Sequence, residues 1–452
     1  MTIGGEVDLQ ALVARVAGWA RAGEQVEAYA ARGRETDVVV YEGAIESLSS
    51  ATSQGLGLRV IVGDRQGFAY AGSLDEDVVA ETMAEARDNA AFGTPDEHLG
   101  LAVPDGVVPA PLDLWREELA GFPDAAKVDL ALDLERRVLG GDTRIRSVQS
   151  ASYGDTASES AVATSTGISA STRRTGCYLA AVALAADGDE TQVGVGYSVG
   201  RQPADLDTDE AVRDAVERST RMLGARKPAS ARLAVVFDKR VTTTLLGILA
   251  GTLSGDAVLK GRSLFASRLG ERVGAGVITL ADDPTDARAY GAARYDSEGL
   301  ACRRNVLIRD GVLQGFVYNT YAGRRAGAAS TASAVRGGFR STPGIGCRAL
   351  ALEPGDRDEA AIVARVGNGL LVRSISGVHS GVNSVSGDFS VGAEGLMIRD
   401  GATAEPVREI TIASTIQRML GDVVAVGNDV EWLPGSAAGV TLAVGEMSMS
   451  GA

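Results

Sequence analysis

The chain has 452 residues, 45% hydrophobic and 23% charged, a globular composition too long for one ordinary core. Its net charge of −15 repels phosphate backbones and argues against a nucleic-acid partner, and no apolar run approaches the ~20 residues needed to span a bilayer. Three scattered cysteines, Cys177, Cys302 and Cys347, suit free thiols in a reducing, cytoplasmic setting better than a disulfide framework.

Residues 1–10 carry Glu6 and Asp8 without a basic stretch, so no signal peptide is expected. Leu9, Leu12, Val13, Val16 and Trp19 share one helical face over 9–22, with Asp8 as the N-cap. Strand alternation follows in Val26, Ala28 and Ala30, in Val38 and Val40, and from Leu56 to Val62, with a hairpin signal at Gly63-Asp64. A second helix is predicted over 75–91, with Val78, Val79, Thr82, Met83 and Ala86 inward. Residues 93–113, rich in Pro, Gly and Asp, read as a linker, and Pro123-Asp124 opens another helix. The Ser/Thr/Ala/Val/Gly text of 144–199 favours long antiparallel strands, followed by a helix over 209–223. Leu233–Phe237 reads as a strand and 242–255 as a helix with several small residues. Beyond Leu259 the chain reads mostly as strand: 277–280, 302–308, 315–318, 370–375 and 395–398, with hairpin turns at Asp310-Gly311 and Asp400-Gly401. The fold class is therefore α+β, with N-terminal α/β units followed by a large β-rich C-terminal domain. The expected division is an N-terminal domain at 1–95, a linker at 96–122, a helix and strand segment at 123–228, and the C-terminal domain at 229–452.

Only two histidines occur, His98 and His379, and there is no HExxH, HxxxH, CxxC, GxxxxGK[ST] or GxSxG. His98 follows Pro95-Asp96-Glu97 in the linker and reads as an exposed loop residue. His379 has Ser380, Ser386 and Asp388 close by in sequence, but neighbours along a strand or loop diverge and rarely form a triad. Of the 44 basic residues only four are lysines, a bias that codon usage explains without a functional role.

One stretch is distinctive: Ser376 to Gly395, SGVHSGVNSVSGDFSVGAEG. It resembles the signature of the PmbA/TldE proteins, once called modulators of DNA gyrase. Leu253 to Asp256, Lys260 to Ser263, Gly427 to Asp429, Tyr41 to Gly43 and Gly55 to Val60 fit the same pattern in order. The family holds two kinds of subunit. The resemblance implies that the TldD kind carries HExxxH on a helix and a cysteine near the C-terminus, and that the TldE kind lacks both and pairs with TldD to complete a zinc peptidase acting on unfolded or modified peptides. It places Gly247, Ile248 and Thr252 where the histidine, glutamate and second histidine would stand. No His or Glu occurs anywhere in 240–262, and no cysteine in 432–439. No cofactor is expected in this chain; zinc is expected on a TldD-like partner, and self-association when the chain is alone. His379, Ser380, Asn383, Ser386, Asp388 and Phe389 are candidates for a peptide channel or a subunit contact, beside the plain reading of turn-capping side chains in a glycine-punctuated hairpin. The alternative to a non-catalytic subunit is a stand-alone homodimeric protein that binds peptides without cutting them.

Overall fold

The computed structural model describes residues 7–452, so Glu6 and the rest of residues 1–6 lie outside the described residues. Helix α1 (Leu9–Ala17) starts where expected, because the Asp8 carboxylate accepts the N–H groups of Gln10 and Ala11. It stops at Gly18, short of the predicted end, and leaves Trp19 outside.

Strands β1 (Glu24–Tyr41), β2 (Ala44–Val62) and β3 (Arg65–Ala71) form a meander, followed by α2 (Glu76–Phe92). After the linker come a one-turn α3 (Glu117–Ala120), α4 (Asp124–Leu139), the long strands β4 (Ile145–Thr164), β5 (Ser169–Asp187) and β6 (Glu190–Gly200), and α5 (Thr208–Thr220). All six strands make one sheet in the order β3-β2-β1-β4-β5-β6. The segments placed at 1–95 and 123–228 thus share a sheet, joined by β1–β4 pairing from Glu27–Thr164 to Val40–Ala151. Its alternation is strict: Val26, Ala28, Ala30, Val38 and Val40 point to one face, which α1, α2, α4 and α5 cover. Tyr29, Ala31 and Gly33 point to the other.

The C-terminal half begins with β7 (Ala231–Phe237), α6 (Lys239–Thr252) and α7 (Gly255–Leu259). Short strands β8 (Leu280–Asp282), β9 (Asn305–Arg309) and β10 (Val312–Leu313) follow, then α8 (Thr320–Ala326), the pair β11 (Ala334–Val335) and β12 (Gly344–Ile345), and β13 (Leu350–Leu352). Next come α9 (Glu359–Val366), β14 (Gly369–Ser376), α10 (Val378–Gly381), β15 (Asp388–Arg399), β16 (Ala402–Thr415), α11 (Ile416–Gly421), β17 (Val423–Val426), the pair β18 (Glu431–Trp432) and β19 (Ala438–Gly439), and β20 (Leu442–Ser450). Strands β16-β15-β14-β7-β20 are neighbours in that order, and a further β16–β20 pairing closes them into a barrel. Its apolar interior takes Phe237, Leu245, Leu249, Phe389 and Ile412. Residues 315–318 form no strand, and 277–280 contributes only its end to β8. The hairpin turns at Asp310-Gly311 and Asp400-Gly401 are as read, each with both φ angles positive.

The halves dock through buried charge. Glu27 of β1 accepts from Arg59 at 2.5 Å and from Arg336 at 2.6 Å, and all three side chains are buried. Arg336 lies 4.4 Å from the centre of the Tyr29 ring, and Arg59 lies 4.0 Å from Glu298, whose other oxygen caps α8 through Thr320.

Cys177, Cys302 and Cys347 are free and buried, and burial pushes the first two thiols up to about 12. A buried acid makes a sharper expectation. Asp282 of β8 accepts the Arg348 and Ala349 N–H groups through Oδ1, while Oδ2 is buried and has no hydrogen-bond partner among the described residues. Burial pushes its pKa up to about 6, against the opposing pull of the two N–H groups and of Arg348. The folded chain therefore holds a proton that the unfolded chain releases near pH 4, so Asp282 stabilises most below pH 4 and this contribution is lost as pH rises through about 6. Asp282→Asn should flatten the urea midpoint between pH 4 and 6 relative to the native chain; an unchanged slope contradicts the assignment.

Candidate functional site

Helix α6 is anchored by Asp238, a wholly buried N-cap that accepts the Val241 N–H and the Arg218 guanidinium at 2.7 Å. Its inner face is Val241, Thr242, Leu245, Leu246, Leu249 and Thr252. Gly247 and Gly251 face outward, and among the described residues a methyl group added to either meets no atom within 4 Å beyond its chain neighbours and the adjoining helix backbone. Ile248 is half-buried and lines a small apolar cavity together with Phe389. Thr252 is wholly buried, and its hydroxyl is spent on the Leu249 carbonyl at 2.8 Å. The positions equated with a zinc-binding helix thus offer a glycine, an alkyl chain and a hydroxyl bonded to its own helix. This donor set does not fit zinc, which takes imidazole, thiolate or carboxylate. Among the described residues, no three of His, Cys, Asp and Glu are gathered as metal ligands.

The distinctive loop lies next to this helix. Ser263 donates to the Thr252 carbonyl at 2.5 Å, and Leu264 N–H donates to the Ser384 carbonyl at 3.2 Å, which ties the end of α6 to the loop. Within it, Asn383 caps the N–H groups of Val385 and Ser386, and Ser386 donates to Asp388 at 2.6 Å. Gly387 takes φ +85°, a left-handed turn that side chains resist. Ser380, Asn383 and Asp388 come together around one open pocket of about 340 Å³. His379 and Ser386 are exposed nearby without lining it. Phe389 is only 1% exposed and points into the barrel core, because alternation along β15 turns it away from Asp388. Among the described residues, no hydrogen bond links His379 to Ser380, Ser386 or Asp388, so the loop holds no triad. His98 is half-buried, not the exposed loop residue expected, with its N–H on the Asp96 carboxylate.

If the zinc-bearing partner implied by the resemblance assembles with this chain, replacing His379 with Asn should leave turnover of that complex within about twofold, because a surface substitution outside such features changes little. Loss of turnover with assembly and substrate binding intact would place chemistry on His379.

Sequence reasoning missed the Glu27–Arg59–Arg336 cluster. The only local signal was an acid at position 27 in otherwise strand-like text.

Three family models match in chain order: PmbA/TldA metallopeptidase domain 1 at residues 26–90, central domain at 117–223 and C-terminal domain at 230–451. The chain is 29% identical over 392 residues to the metalloprotease PmbA of Escherichia coli O157:H7, covering 86% of this chain and 84% of the relative. It is 26% identical to a metalloprotease TldD homolog of Haemophilus influenzae, over 83% of this chain and 79% of the relative. A Bacteroides thetaiotaomicron structure, described as a candidate modulator of DNA gyrase, superposes with a TM-score of 0.88 at 26% identity, covering 98% of this chain and 99% of that one. TldE from Thermococcus kodakarensis shares the fold with a TM-score of 0.87 at 22% identity, covering 94% and 97%.

Proposed function

This chain belongs to the PmbA/TldD metallopeptidase family, and on that footing we propose that it is a zinc-free, TldE-type subunit of a heteromeric peptidase. It works beside an HExxxH-bearing, TldD-like partner in the cytoplasm on unfolded or modified peptides. The observation that carries this reading is α6: the helix is intact and well capped, yet its equated positions are Gly247, Ile248 and Thr252. With no ligand for a Lewis acid and no carboxylate to deprotonate a bound water, the chain cannot run the partner's chemistry from this helix. Its contribution is then structural: to close the partner's site and to line the peptide path with Ser380, Asn383 and Asp388. The open space over Gly247 and Gly251 is where another chain can approach the helix closely.

Mixing the purified chain with a TldD-like partner at micromolar concentration, and sizing the product by light scattering, tests the assembly. A heteromeric mass is expected, with stoichiometric zinc on the partner and none on this chain. Masses of the separate species only would favour the stand-alone peptide-binding protein.

A further inference from the structure

The uncovered face of the N-terminal sheet is the floor of a cleft of about 630 Å³, a volume that suits a short peptide or a small ligand. Ala31, Ser160 and Thr172 lie side by side across β1, β4 and β5, with Gly33, Ser158 and Arg174 in the next row. Small side chains there leave room above the sheet. The opposite wall comes from the C-terminal half, from residues 292–293, 295–297 and 336–340 and from Arg348.

The cleft lining holds Arg32, Arg174, Arg336, Arg340 and Arg348 against the carboxylates of Glu35, Glu159 and Asp296, a local excess of positive charge in a chain of net charge −15. Arg174 and Arg348 both line it, and neither forms an ion pair with any carboxylate among the described residues. Arg174 donates through Nη2 to the Tyr290 carbonyl at 2.7 Å, and Arg348 through Nη2 to the Ser297 hydroxyl at 3.0 Å and the Ala334 carbonyl at 3.1 Å. These acceptors are neutral; Arg174 also faces the Tyr290 ring, 6.0 Å from its centre, and Arg348 acts on the buried Asp282 from beyond ion-pair distance. The two guanidiniums also repel one another: Arg174 is held below the ordinary arginine range by burial, and the charge of Arg348 adds to the effect. Behind them Arg336 donates to Glu27 and to the Ser297 carbonyl, so two arginines converge on Ser297. Of the acids in the lining, Glu159 is paired with Arg32, and Asp296 accepts the N–H groups of Glu298, Leu300 and Ala334. Glu35 is the remaining carboxylate on the cleft wall.

We propose that this cleft binds the C-terminal carboxylate of a peptide, held by the guanidiniums of Arg174 and Arg348 with the chain laid over the small-residue floor. Arg174, with one Nη2 hydrogen still free, can match a carboxylate in two parallel N–H···O bonds; Arg348, whose Nη2 is already spent on Ser297 and Ala334, adds Nη1 and its charge, and a negative group placed there would offset the repulsion between the two arginines. The site lies on the N-terminal sheet, apart from α6 and from the loop of Ser380, Asn383 and Asp388. The choice of a peptide as the carrier rests on the subunit reading above; the binding itself needs no partner.

The test uses the full chain alone, with a fluorescently labelled, N-capped pentapeptide of alanine and serine, read by polarisation. The free acid should bind at least about tenfold more tightly than its C-terminal amide, because the amide forfeits the charge-assisted bonds. Arg174→Lys and Arg348→Met should each weaken the acid about tenfold and leave the amide unchanged, with the melting temperature retained. Lysine keeps the charge but loses the fork, so its failure to rescue marks geometry. Equal affinity for acid and amide overturns the proposal, as does acid binding that neither variant weakens. Inorganic phosphate that binds through the same arginines, where the peptide acid does not, also overturns it and assigns the cleft to a free oxyanion. Failure to assemble with a TldD-like partner leaves this result standing and removes only the subunit reading.

Discussion

Replacing Glu27 with Ala should lower the unfolding free energy by about 3–5 kcal/mol, among the largest effects of any single substitution in the chain. Glu27 is buried on β1 and binds Arg59 and Arg336 at once, one from the N-terminal sheet and one from the C-terminal half. Burial alone raises the pKa of Glu27, but the two guanidiniums reverse this and hold it below the usual glutamate range. Alanine strips the counter-charge from both arginines. Among the described residues, Arg59 would keep Glu298 at 4.0 Å as its carboxylate, while Nε and Nη1 of Arg336 already lack hydrogen-bond partners. Two buried cations left in this way cost far more than a deleted surface pair. The control is Arg399 and Glu405, an exposed pair at 2.8 Å, where Glu405→Ala should change stability by less than about 1 kcal/mol. Protonation repeats the loss: the contribution of Glu27 is present above the ordinary glutamate pKa and vanishes as pH falls through its lowered value. Urea unfolding of both variants at pH 7 measures the contrast, and equal effects would contradict the buried-clamp account.

The second large effect is expected at Gly395, in the distinctive stretch. Here β14 and β15 come so close that a β-carbon on residue 395 would sit 2.0 Å from the Leu371 carbonyl oxygen and 3.0 Å from the Val372 Cα. Both obstacles are backbone, and the closed barrel keeps either strand from retreating. Gly395→Ala should therefore cost about 3 kcal/mol, the upper part of the range for overpacking. Gly247→Ala makes the opposite prediction. That site is an outward helix position with open space, so alanine should stabilise the isolated chain by about 0.5–1 kcal/mol through helix propensity. Thermal and urea denaturation of the two variants reads both signs; a harmless Gly395→Ala would mean that the strands can part.

What could be read from the sequence was local. The Asp8 cap, the Asp-Gly turns and the strand alternation of Val26, Ala28 and Ala30 depend on neighbours a few residues apart, and the structure reproduces them. The family signature pointed to the α6 and loop region, which the fold brings together through Ser263 and Leu264. Long-range pairings were beyond reach. Nothing near Glu27 announces Arg336, 309 residues away, and nothing in β16 announces the closure with β20. Phe389, a candidate for the peptide channel or a subunit contact, lies in the barrel core. The strand begins at Asp388, so residue 389 turns inward by alternation alone. The cleft arginines escaped for a further reason: in an arginine-rich chain, composition does not say which arginines the fold will gather on one cleft wall.

As proposed above, this chain completes a peptidase whose zinc sits on another subunit. The most direct measurement is peptide cleavage by the HExxxH-bearing partner alone, by this chain alone and by the two together, with zinc quantified in each sample. The account predicts turnover only in the mixture, abolished by a chelator, with all bound zinc on the partner. Full turnover by the partner alone, unchanged when this chain is added, would contradict it, as would cleavage by this chain alone.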